Sequence, residues 1–139
     1  MTKDDIRAQL TAAGLDPDAI SGLIDAAIAE DLAGGVDVTT MATVPAEQRS
    51  QLDLVARAPG VVAGIPIAAL VFENVAASAG SPVDASQDRS DGDAVVAGDV
   101  LLSIRGRTRD LLTAERTALN LLCHLSGVAT ATAKWAVAL

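Results

Sequence analysis

Arg116 sits in a stretch whose polar residues recur at helical spacing. At about 100° per residue, Thr113, Arg116, Thr117, Asn120, Cys123, His124 and Gly127 fall opposite an apolar stripe of Ala114, Ala118, Leu121, Leu122, Leu125, Val128 and Ala129. A face that meets only water is rich in Lys and Glu. This one carries a single strong cation among small or neutral polar groups, which suits contact with another surface or with a ligand. A guanidinium can grip both oxygens of a carboxylate and keeps its charge at physiological pH. The plainer alternative is a surface Arg paired with Glu115 or with a carboxylate from elsewhere in the chain, and the sequence leaves both open.

The other groups able to do chemistry carry weaker signals. Glu30, Asp31 and Asp37 are hard-metal ligand types, but they fall on a helix end and a Gly-containing loop, where carboxylates commonly cap or face water. His124 has neither a second His nor a Cys pair at zinc spacing, so an interface or hydrogen-bonded histidine is the better reading. Cys123 is adjacent to His124, and neighbouring residues on a helix point apart, so no activated nucleophile is assigned.

These residues need elements to hold them. Two helices are expected at 2–12 and 17–31, the second with Asp16-Pro17 as N-cap and first turn and with Ile20, Leu23, Ile24, Ala27 and Ile28 on its packed face. A loop follows through Gly34-Gly35 and Asp37-Val38-Thr39-Thr40 to Pro45. Residues 51–57 alternate as a strand, with Leu52, Leu54 and Ala56 to one side and Asp53, Val55 and Arg57 to the other, up to the breaker Ala58-Pro59-Gly60. A helix starting near Pro66 carries Ile67, Leu70, Val71, Asn74 and Val75 and stops at Gly80. Residues 81–93 read as turn-rich, and 94–96 with 100–104 as a hairpin about Ala97-Gly98-Asp99. A long helix then opens with Asp110 as its N-cap. The expected class is α+β, helices on a mostly antiparallel sheet.

The formal net charge of −8 leaves no basic surface for a phosphate backbone, so nucleic acid is not an expected partner. One Phe, one Trp and no Tyr mean that Ala, Val, Leu and Ile fill the core. A single Cys excludes an internal disulfide and fits a reducing compartment. No secretory leader and no uncharged apolar run of about 18 residues is present, so a cytoplasmic chain without a membrane span is expected. The final residues, Trp135-Ala136-Val137-Ala138-Leu139, are apolar and uncapped. They read as a cut through a larger protein, and the isolated chain is expected to be oligomeric or poorly soluble.

The segment Thr108-Arg109-Asp110-Leu111-Leu112-Thr113-Ala114-Glu115-Arg116-Thr117-Ala118-Leu119-Asn120-Leu121-Leu122, followed by His124 to Thr130, resembles the quinolinate phosphoribosyltransferases, also called carboxylating nicotinate-nucleotide pyrophosphorylases. Glu30-Asp31-Leu32 with Gly35 and Asp37 to Thr40, and Gly60-Val61-Val62-Ala63-Gly64, agree with that family in order and spacing. The resemblance covers nearly the whole chain and is weakest at 81–93. It implies an N-terminal α/β sandwich domain over 1–110 and, over 111–139, the start of an α/β barrel whose remainder is missing. It implies formation of nicotinate mononucleotide, pyrophosphate and carbon dioxide from quinolinate and phosphoribosyl pyrophosphate with Mg²⁺, by a homodimer or higher homo-oligomer. In such a dimer Arg116 would contact the substrate carboxylate in the neighbouring subunit's site. The catalytic groups and metal ligands would lie in the barrel, with none in this chain, which alone would be inactive.

Two other readings remain open on sequence: a molybdenum-transport-associated relative of the same superfamily, and a non-catalytic dimerisation or interaction module. A biotinyl or lipoyl carrier fails, because such domains display a Lys on a hairpin and no Lys occurs between Lys3 and Lys134.

Overall fold

A computed structural model describes residues 1–32 and 42–138, with the side chains of 137 and 138 left aside. Four helices are described over more than one turn: α1 (Lys3–Ala12), α2 (Pro17–Asp31), α3 (Ile65–Ser78) and α4 (Thr108–Ala138). They accompany five strands, β1 (Arg49–Val55), β2 (Gly60–Val61), β3 (Asp84–Gln87), β4 (Ala94–Val95) and β5 (Val100–Arg107). The expected α+β class is what the molecule shows.

Local chemistry accounts for the helix starts. Thr2 and Asp5 form a reciprocal capping box at α1, and the Asp16 carboxylate accepts from the Asp18 amide ahead of Pro17 at α2. On α2 Ile24 is buried and Ile20 and Ile28 pack against the core, but Leu23 is 68 % exposed, contrary to its expected place on the packed face. α3 starts after Gly64 in the left-handed region, φ +97°, and Gly64 brings no capping side chain. Asp91, distant in sequence, supplies the acceptor instead, taking the Ile65 amide at 2.9 Å.

The larger sheet runs β1-β5-β3, antiparallel throughout, with Leu52 opposite Ile104, Leu54 opposite Leu102 and Ala85 opposite Ile104. The alternation expected for β1 holds, since Leu54 is buried and Asp53, Val55 and Arg57 are exposed. The expected hairpin of β4 with β5 does not form. β4 pairs with β2 in a separate two-stranded sheet, and the Ala97-Gly98-Asp99 turn passes the chain from one sheet to the other. The cause is visible in the turn's hydrogen bonds: Ala56 donates to Asp99 O and Gly98 to Ala56 O, each at 2.9 Å, so the turn is tied to the end of β1. Within the segment read as turn-rich lies β3, a four-residue edge strand whose Asp84, Ser86 and Gln87 carry little strand propensity.

Helix α3 is the centre of the molecule. Ile65, Pro66, Ala68, Ala69, Leu70, Val71, Phe72, Val75 and Ala76 are buried on it, an almost all-round apolar surface that requires cover on every side. α1, α2, α4 and the larger sheet provide that cover. The facing surface of α4 is Leu111, Ala114, Ala118 and Leu122, all under 5 % exposed, so the small side chains noted in the sequence set a close helix approach.

Candidate functional site: the open face of helix α4

The helix that carries Arg116 begins at Thr108, not after Asp110. Thr108 donates its amide to Gln48 O at 2.8 Å, and its hydroxyl meets that of Ser50 at 2.6 Å. Asp110 therefore lies in the first turn instead of capping it, 6 % exposed, with its carboxylate 3.5 Å from Arg107 Nε. Arg109 Nε donates to Val44 O at 2.6 Å. A cavity of about 620 Å³ between α2, α3 and this first turn is lined by Asp25, Leu32, Asn74, Arg107, Asp110 and Thr113 among others.

The flanks of α4 are held by hydroxyl groups. On one side Thr117, 3 % exposed, donates to the Asp31 carboxylate at the end of α2. On the other, Ser126 and Thr130 close against the open edge of β2 and the two residues after it. The Ala63 amide donates to Ser126 Oγ at 3.0 Å, and that hydroxyl lies 3.1 Å from Ala63 O as donor. The Val61 amide donates to Thr130 Oγ1 at 3.0 Å, and that hydroxyl reaches Val61 O at 3.2 Å and Ser126 O at 2.8 Å. The match is geometric: four helical residues rise about 6.0 Å, and two strand residues about 6.6 Å. Hydroxyls at i and i+4 thus take the place of a partner strand along the open edge of β2 and the extended residues that follow it.

The approach needs glycine at both ends of the clasp. A Cβ on Gly60 would stand 2.8 Å from Thr130 Oγ1, and one on Gly64 2.8 Å from Leu125 Cδ1, where φ is also positive. The Gly60 to Gly64 motif is accounted for in this chain as the seat of α4.

What remains of α4 is its outer face. Arg116, Asn120, Cys123, His124 and Gly127 are exposed, together with Leu112 and Val128. Two residues depart from the expected faces: Thr117 turns inward to Asp31, and Val128, assigned to the apolar stripe, is 54 % exposed. Arg116 lines a depression of about 230 Å³ with Leu112, Glu115, Leu119 and Asn120, and it makes no ion pair or hydrogen bond with another described residue, Glu115 included. Cys123 and Gly127 border a second, mostly apolar groove of about 320 Å³ against Val55, Arg57 and Pro59. Gly127 has nothing within 4 Å of a Cβ position, so no contact among the described residues explains a glycine there.

Among the described residues no three His, Cys, Asp or Glu converge as a metal site, and the residues present do not fit a hard cation such as Mg²⁺. Glu30 and Asp31 are exposed at the end of α2, whereas Asp37 and its neighbours Gly35 to Thr40 lie outside the described residues. No described helix is long and apolar enough to cross a membrane. Nothing in the local pattern marks the clasp residues Ser126 and Thr130; their i, i+4 spacing is the one signal the sequence offers for them.

Residues 37–126 match the family model described as the N-terminal domain of quinolinate phosphoribosyl transferase. The chain belongs to this family. It is 45 % identical over 118 residues to the carboxylating nicotinate-nucleotide pyrophosphorylase of Mycobacterium leprae, covering 85 % of this chain and 41 % of that protein. The chloroplastic enzyme of the same name from Arabidopsis thaliana is 34 % identical over 113 residues, covering 81 % of this chain and 31 % of its own length. Among solved structures, NadC from Streptococcus pyogenes superposes with a TM-score of 0.82 at 37 % identity, over 90 % of this chain and 43 % of that one. The nicotinate-nucleotide pyrophosphorylase from Francisella tularensis gives 0.74 at 29 %, over 84 % and 39 %. The chain thus spans less than half the length of each of these relatives.

Proposed function

We propose that this chain serves as the N-terminal part of a phosphoribosyltransferase that converts quinolinate and phosphoribosyl pyrophosphate to nicotinate mononucleotide, pyrophosphate and carbon dioxide. The observation that carries the reading is the family match over 37–126, a span that includes an exposed Arg116 with no partner among the described residues. Arg116 binds a carboxylate of quinolinate in the active site of a second subunit, so the working unit is a homodimer or a larger homo-oligomer. The physical reason is charge: a pyridine dicarboxylate leaves water only for fixed cations, and Arg offers two parallel N–H donors to one carboxylate. Residues 111–139 open the barrel domain, and the 1–110 region forms part of the wall around the neighbour's site. Mg²⁺ and the groups that act on the reacting atoms are held by segments other than these residues. The compartment is the cytoplasm.

The test is reconstitution. This chain is combined with the C-terminal segment of the Mycobacterium leprae relative, joined or co-expressed, and formation of nicotinate mononucleotide is followed. Product is expected from the combination and from neither part alone. Arg116→Ala is expected to weaken quinolinate binding by about 1.5–3 kcal/mol, the cost of a charged hydrogen bond, which is a roughly ten- to hundredfold rise in the Michaelis constant. An unchanged Michaelis constant in an active combination removes Arg116 from the site. A folded, associating combination that stays inactive removes the enzymatic reading.

A further inference from the structure

The buried stripe of α4 runs Leu111, Ala114, Ala118, Leu122, with the two alanines at its middle. Alanines present shallow ridges, so they set the distance between helices more firmly than the rotation of one about its own axis. Rotation is what matters for Arg116. Its guanidinium stands roughly 9 Å from the helix axis when the stem is extended from a Cα radius of about 2.3 Å, so a roll of about 20° carries it some 3 Å sideways. A donor displaced that far leaves the range of about 2.7–3.2 Å in which it can bond a carboxylate oxygen.

The hydrogen bonds on the two flanks act on that rotation. Thr117 and Ser126 are nine residues apart, which at about 100° per residue places them on opposite sides of the helix. Thr117 is tied to Asp31 of α2, Thr130 to Val61 of β2 and Ser126 to Ala63, two residues beyond that strand. A roll in either direction stretches one set while compressing the other. Thr117 is also the residue next to Arg116, and its buried hydroxyl has the Asp31 carboxylate as its acceptor.

We propose that the Asp31–Thr117 bond and the Ser126–Thr130 clasp form a roll lock on α4, and that Asp31 and Thr117 are positioning residues that aim Arg116 at the substrate carboxylate. The second half of this statement rests on the reading of Arg116 given above; the lock itself does not. Asp31 acts through Thr117 and touches no substrate.

The lone Cys123, exposed on the same helix, is a handle for the test. A trifluoromethyl tag on Cys123 of the 139-residue chain is expected to give one fluorine resonance. Thr117→Val keeps the shape and removes the hydroxyl, and should split or broaden the line; Thr117→Ser keeps the hydroxyl and should restore it. Where Thr117→Val fails to fold, Asp31→Ala, at an exposed position, makes the same comparison. A single unshifted line in the folded Val or Ala variant overturns the lock, whatever the activity. In the reconstituted enzyme Thr117→Val should raise the Michaelis constant for quinolinate about three- to tenfold, a part of the charged hydrogen bond that Arg116→Ala removes entirely, with kcat nearly unchanged and with rescue by Thr117→Ser. If Arg116→Ala raises that constant and Thr117→Val does not, the positioning role is overturned. If Arg116→Ala itself has no effect, the reading of Arg116 falls while the fluorine result still decides the lock.

Discussion

Helices α3 and α4 pack on one another, yet their sequences are satisfied to different degrees by this chain. α3 is buried on nearly every side, and each of its apolar residues from Ile65 to Val75 has an internal reason to be there. α4 is more than twice as long, 31 residues against 14, and its outer face holds an Arg without a partner among the described residues, a Gly with nothing around it and an exposed Val128 and Trp135. The difference separates two kinds of constraint. A residue that packs inside the chain is explained by stability, and a residue with a helix cost and no internal contact is explained, if at all, by what lies outside.

The contrast is broken most directly by paired truncations. Phe72→Ala in α3 removes the largest fully buried side chain and should cost about 3–5 kcal/mol, whereas Arg116→Ala on α4 should change stability by less than about 0.5 kcal/mol. Urea unfolding of both variants checks this, and a comparable loss in the two would mean that the outer face of α4 is structural. At the junction of the helices, Gly64→Ala places a methyl group 2.8 Å from Leu125 in a left-handed backbone. The backbone term alone is about 1–2 kcal/mol, so a midpoint shift in the same urea series is expected. Thr130→Val leaves the Val61 amide and carbonyl without their side-chain partner on this edge, at a cost of about 1–3 kcal/mol; faster amide exchange at Val61 is the specific readout.

Much of this was legible in the sequence. The alternation of Leu52 and Leu54 with Asp53 and Val55, the Asp16-Pro17 helix start and the long helix around Arg116 all follow from period and capping chemistry, which act within a few residues. The failures have a common cause in long-range pairing. Ala94-Val95 looks like one arm of a hairpin, but Gly98 and Asp99 in the turn after it are bound to Ala56, far back in the chain, and no local rule contains that contact. β3 was hidden because a short polar edge strand is recruited by β5 and has no pattern of its own. For the site, the side of α4 bearing Arg116 was readable, but Thr117 was placed with it, because periodicity distinguishes apolar from polar and not a hydroxyl that faces solvent from one that faces Asp31. The Gly60 to Gly64 motif carried the resemblance while its physical meaning, a close seat for α4, required the distances.

A smaller effect sharpens the comparison at Gly127. Glycine within a helix costs about 0.5–1 kcal/mol relative to alanine, and no atom within 4 Å hinders a Cβ there. Gly127→Ala should therefore stabilise the isolated chain by about that amount, seen as a higher urea midpoint. If the outer face of α4 is a docking surface, the same change should weaken association with the C-terminal segment in the reconstitution. Stabilisation without any loss of association would leave Gly127 unexplained by either constraint.

The smallest expected effect lies on α3 and tests how complete its internal explanation is. Glu73 is its one charged residue, and burial raises its pKa above the usual carboxylate value, an effect that the positive charges of Lys3 and the N-terminus partly offset and Asp84 reinforces. A carboxyl whose pKa is higher folded than unfolded binds protons more tightly in the folded chain, so its contribution falls as pH rises from the unfolded pKa through the folded one. The ionised form at neutral pH is thus a small liability. Glu73→Gln should raise the thermal midpoint at pH 7, and the advantage should shrink to nothing once the pH drops below the carboxylate range, where both states of the parent are protonated. The capping Asp5, whose pKa is lowered by the Thr2 backbone and hydroxyl, runs the other way and loses its contribution as pH falls, so the Gln variant must be compared with the parent at each pH. A Gln variant less stable than the parent at pH 7 would mean that the attraction of Lys3 and the N-terminus outweighs burial, and that α3 holds its charge to advantage.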